Sequence, residues 1–152
     1  MTRLAERVLT ALLADSAIAT LVDGRAFPYD IRIAGPSSQF PTVYDAFGAI
    51  EGPTMLVVDG GAGRTMSGLL GAYDGRLVVW GLVDGATETG RDDLATLMTR
   101  SAAVLIGWQD TESKALLTFG DRRGPIDDPP PDTGVLDRVT FRVGGVHAGI
   151  AG

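Results

Sequence analysis

The sequence predicts a single α+β domain, a mixed or antiparallel sheet of about four to five strands with two helices packed on one face. Three observations carry that expectation. Residues 76–83 form a strand-like run that is apolar on both faces. Residues 86–106 read as a capped amphipathic helix, and residues 136–143 as a strand with one polar face. At 152 residues the chain fits one domain with a core of its own, residues 1–143, followed by a glycine-rich tail over 144–152 expected to be flexible.

In order, Thr2 is placed to cap a first helix whose Leu4, Val8, Leu9, Leu12 and Leu13 recur near helical spacing. Asp15 or Ser16 caps a second short turn over 17–22, closed by Gly24. Residues 24–39 read as irregular, broken by Pro28, Gly35 and Pro36. Residues 41–47 read as a strand, with Val43, Asp45 and Phe47 on one face and Thr42, Tyr44 and Ala46 on the other. Met55 to Asp59 is a short apolar run that continues as a second strand until glycines 60, 61 and 63 break it. Residues 51–71 as a whole form a glycine-rich loop or hairpin arm.

The 76–83 strand carries Leu77, Val79 and Val83 on one face and Val78, Trp80 and Leu82 on the other. That predicts a central strand covered on both sides, by helices or by a neighbouring subunit. Thr89 caps the long helix, Asp92 and Asp93 complement its dipole, and Leu94, Leu97, Met98, Ser101, Ala102 and Leu105 form its buried stripe up to Gly107. Residues 114–119 are a further strand, and 121–134 a proline-rich, extended connector. In the last strand Val139, Phe141 and Val143 point inward, while Arg138, Thr140 and Arg142 point outward.

The residue chemistry gives no candidate catalytic residue, cofactor site or metal site. The chain has no cysteine and one histidine, His147, which has no acid, serine or metal partner in sequence. The glycine-rich segment lacks the spacing and lysine of a phosphate-binding loop, with Arg64 where lysine belongs. Asp127, Asp128 and Asp132 match no calcium loop. A net charge of −6 argues against specific nucleic-acid binding. No apolar run approaches a membrane span and no signal peptide is evident, which predicts a soluble chain made in a cytoplasm.

A wider pattern does point somewhere. The chain runs from an N-terminal helix ending Leu21, Val22, Asp23, Gly24, Arg25 to a strand carrying Pro41, Val43 and Tyr44. Later comes a strand ending near Trp80, then a helix finishing at Leu105, Ile106, Gly107. This order resembles the tail terminator, or tail-completion, proteins of long-tailed bacteriophages, from about Leu4 to Val143. It departs from that family in a longer middle segment, 51–71, and in the proline content of 121–134. The resemblance implies a structural virion protein at the neck, assembled in the host cytoplasm as a homo-hexameric ring without cofactor or catalysis. Such a ring caps the tail tube protein, stops its polymerisation and offers a joining surface to the head–tail connector or stopper protein. The genomic DNA passes through the lumen without specific binding, which an acidic lining favours. Another neck component, such as a head-completion protein, or a tube subunit is the alternative. Under this reading Arg138 and Arg142 lie at one subunit interface patch and Asp92 and Asp93 at the other. Met55, Val57, Arg64, Met66 and Leu69 are the candidates for contact with the tube or connector.

Overall fold

The structure, a computed structural model, describes residues 4–30, 52–64, 73–84, 89–124, 126–127 and 134–144. Two helices open the chain, α1 (Leu4–Leu13) and α2 (Ser16–Val22). Strands β1 (Ala26–Asp30), β2 (Thr54–Arg64) and β3 (Tyr73–Asp84) follow, then the helix α3 (Gly90–Leu105). β4 (Leu116–Arg122), the two-residue β5 (Ile126–Asp127) and β6 (Gly134–Gly144) complete the sheet. The strand order is β1-β2-β3-β6-β4, with β5 also pairing β6. β1 runs parallel to β2 and the other pairs are antiparallel, so the sheet is mixed.

The α+β class agrees with the sequence, and the described helices, three where two were expected, pack on one face of the sheet. In α1, Ala5, Val8, Leu9 and Leu12 are buried at helical spacing. In α3 the buried stripe is Leu94, Leu97, Met98, Ser101 and Leu105, with the Ser101 hydroxyl returned to the Leu97 carbonyl at 2.7 Å. These residues and Ile18 and Val22 of α2 pack on Met55, Val57, Leu77, Val79, Val83, Val139 and Phe141 of the sheet. Gly81 lies beneath α3. A Cβ there would stand 2.6 Å from Met98 Cε and 2.8 Å from Leu94 Cδ1, so its bare backbone sets how closely the helix sits. The opposite face carries a second apolar cluster, in which Leu56, Val58 and Leu82 are buried beside Val78, Trp80 and Leu136. The two-faced apolar pattern of the 76–83 run therefore reports a central strand with an apolar cluster on each side.

Four boundaries differ from the sequence reading. Residues 26–30 form a strand despite Pro28, which an edge position tolerates because its missing N–H can face away from the neighbour. β2 does not stop at its glycines: it continues to Arg64, absorbing a register shift between Asp59 and Ala62. Pairing with β3 thus overrides the weak strand preference of glycine. β4 begins and ends later than 114–119, because Lys114 adopts φ +63° in the turn that precedes it. Residues 121–122 and 126–127 of the expected connector are paired strand. The Thr2 cap and the 41–47 strand fall outside the described residues.

The helix ends follow local chemistry. Asp15 Oδ1 accepts from the Ala17 and Ile18 amides at 3.0 and 3.2 Å, capping α2, and Gly107 at φ +78° follows the end of α3. Thr89 occupies the α3 cap position, but its hydroxyl donates to Asp93 Oδ2 at 3.1 Å instead of capping the backbone.

Candidate functional site

Side chains alternate across a strand, so register decides which of them meet. In the β3/β6 pair, Arg76 stands opposite Arg142, Val78 opposite Thr140 and Trp80 opposite Arg138. All lie on the face turned away from the helices, since their neighbours Leu77, Val79, Val139 and Phe141 fill the helix-side core. β4 then contributes through a bulge. Phe119 pairs with Phe141 and Asp121 with Thr140, leaving Gly120 as the extra residue. A Cβ on Gly120 would stand 2.7 Å from the Thr140 carbonyl oxygen, so this crossing requires glycine.

The bulge has two consequences. It keeps Asp121 on the outer face, beside the arginines. It also sends Arg122 to the helix side, where its Nε and Nη2 donate to Asp137 Oδ2 at 3.3 and 3.0 Å. Asp137 is 1% exposed, and its Oδ1 accepts from the Arg138 amide at 2.7 Å.

The outer face forms a depression of about 420 Å³ lined by Arg76, Arg138, Arg142, Thr140, Asp121 and Gly120 among others. Among the described residues the lining holds three arginines and one aspartate, on a chain whose net charge is −6. The Arg138 guanidinium stacks over the Trp80 ring, 5.7 Å from its centroid. Arg138 Nε is buried and has no hydrogen-bond partner among the described residues. A buried donor left unpaired is costly, and a ligand oxygen at this point would remove that cost.

Two ion pairs brace the helix layer behind this face. Arg7 of α1 grips Asp110 with Nε and Nη2, both at 2.8 Å, while the Ser113 amide donates to the same carboxylate at 3.1 Å. Burial by itself raises the Asp110 pKa, but the Arg7 hydrogen bond, the Ser113 hydroxyl and amide, and the Arg7 charge outweigh it and hold it well below the usual carboxylate range. Arg100 of α3 pairs with Asp15, whose carboxyl is lowered first by that bond and then by the α2 amides it caps. Among the described residues no group of three or more His, Cys, Asp or Glu is placed to hold a metal ion. No described helix is long and apolar enough to cross a membrane.

Several residues singled out in the sequence are now placed. Arg138 and Arg142 share the outer depression. Asp92 is exposed and Asp93 half-buried in the first turn of α3, on the other side of the sheet. Met55 and Val57 are fully buried against the helices, so these two candidates for partner contact are core residues in this fold. Arg64 ends β2, and Met66 and Leu69 lie outside the described residues. Sequence reasoning missed Arg76, Asp121 and the Arg122–Asp137 pair. The signal for the pair was present, because Asp137 shares its parity with inward Val139 and Phe141 and so had to find a buried partner.

No protein-family model matches the chain, and no curated protein matches it. Among solved structures, a chain described as "Virion of native gene transfer agent (GTA) particle" matches with 17% identity and a TM-score of 0.59. The match covers 97% of this chain and 100% of that one. At this identity the likeness establishes a shared fold.

Proposed function

We propose that the chain is a structural subunit of a phage-like particle and, within it, the tail terminator. The carrying observation is the end-to-end fold match with a chain of a gene transfer agent virion, which leaves almost no part of either chain unmatched. The order of helix, strand and capped helix that resembles tail terminators supports the finer assignment. In this role the subunit forms a hexameric ring at the neck, caps the last ring of the tail tube, and offers its other side to the head–tail connector. The work is done by surfaces, with no covalent step. The placement of the arginines and of Asp92 on opposite sides of the sheet suits a ring, because each subunit then offers two different patches. An acidic chain also lets a DNA backbone pass with little adhesion.

The test is tube growth in vitro. Tail tube protein from the same particle is polymerised with and without the purified chain, and lengths are read by electron microscopy. The proposal expects arrested growth and density of this chain at tube ends only. Unaltered length distributions would refute the terminator role, and incorporation along the tube would make the chain a tube subunit.

A further inference from the structure

We propose that the arginine-lined depression is a receptor for acidic side chains of a second copy of this chain, namely the first turn of α3 with Asp92 at its tip. The proposal rests on the virion-subunit reading and names the contact that would join neighbouring copies.

Twelve of the 13 basic residues are arginines, and three of them line one depression in a chain that is otherwise dominated by acid. Arginine presents paired donors that fit a carboxylate with two parallel hydrogen bonds. Arg138 is already oriented by Trp80, and its buried Nε has no acceptor among the described residues. Thr140 adds a hydroxyl on the same floor, and the Gly120 bulge keeps β4 low enough to leave the depression open. The site is thus preorganised for a compact anion carried on a protein surface.

The occupant follows from complementarity. Asp92 is exposed at the start of the 16-residue helix α3, and Asp93 beside it is held by the Thr89 hydroxyl. This turn and the arginines lie on opposite sides of the sheet, so they cannot meet within one subunit. Between copies they form a head-to-tail contact, which propagates around a ring or along a filament. A nucleic-acid backbone fits less well. It calls for an extended basic surface, whereas these three arginines line one depression on an acidic chain.

Self-association of the purified full chain, measured by sedimentation across concentration at low salt, tests the idea. The parent is expected to assemble, and the Arg76→Glu, Arg142→Glu variant to weaken assembly by at least about tenfold. Both arginines are exposed, so an unchanged thermal midpoint shows that the variant is folded. Adding Asp92→Arg and Asp93→Arg to that variant restores assembly by exchanging the charges. A parent that stays monomeric throughout, or a variant that assembles like the parent, overturns the proposal. So does retention of duplex DNA by the parent, lost in the arginine variant, without self-association. None of these readouts involves the tail tube, so a variant chain that still arrests tube growth would remove this contact and leave the terminator reading standing.

Discussion

Arg122 reaches under the sheet to donate two hydrogen bonds to Asp137, a carboxylate 1% exposed on the neighbouring strand β6. The pair exists because Gly120 inserts one residue into β4 and so reverses which side of the sheet the following side chain faces. One glycine therefore sets both the buried ion pair and the placement of Asp121 among the arginines.

Removing Arg122 leaves the buried Asp137 carboxylate uncompensated, whereas removing Asp137 leaves a cation that water can solvate. Arg122→Ala is expected to cost about 3–5 kcal/mol, and Asp137→Ala less because the arginine it leaves behind is already partly exposed to water. At this chain length the larger loss lowers the melting temperature by roughly 10 °C. Equal, small shifts for both variants in a thermal scan would show that the pair contributes little.

Gly120→Ala and Gly81→Ala separate two kinds of crowding. At Gly120 the obstructing atom is a backbone carbonyl oxygen, whereas at Gly81 it is the flexible end of Met98. Gly120→Ala is expected to cost about 1–3 kcal/mol and Gly81→Ala less, with denaturant midpoints ranking accordingly. The reverse ranking would mean that β4 moves more easily than α3.

Acid sensitivity should trace to Asp110. Its folded pKa is depressed below its unfolded value, so the unfolded chain binds more protons and stability rises with pH across that interval. The contribution is complete above about pH 4 to 5, near the ordinary aspartate pKa, and is lost as pH falls toward the folded value. Asp110→Asn is expected to lower stability at neutral pH and to flatten its decline below that range. Parallel stability curves for the variant and the parent would contradict this.

Met55 offers a check on core against contact. Fully buried beneath the helices, Met55→Ala is expected to destabilise the fold by about 2–5 kcal/mol. A variant of parental stability that fails only in assembly would return Met55 to the surface.

Much of the fold was legible because periodicity is local. The two-faced apolar run around Trp80, the stripe of α3 and the outward Arg138, Thr140 and Arg142 can all be read from spacing alone. What escaped depends on partners distant in sequence. β1 carries Pro28 and is a strand because β2 lies parallel beside it. Residues 60–64 are extended because β3 pairs with them. Arg76 joins the arginine cluster only through its register against Arg142, and Asp121 only through a bulge whose sign in sequence is a single glycine. The arginine row was therefore half visible, and the depression it lines was not.

The central claim, that this chain terminates a tail tube, is tested most directly by electron microscopy of lysates from a particle lacking its gene. The account predicts overlong tails beside full, unjoined heads, with normal tails restored when the chain is supplied in trans. Tails of normal length on intact infectious particles would contradict it.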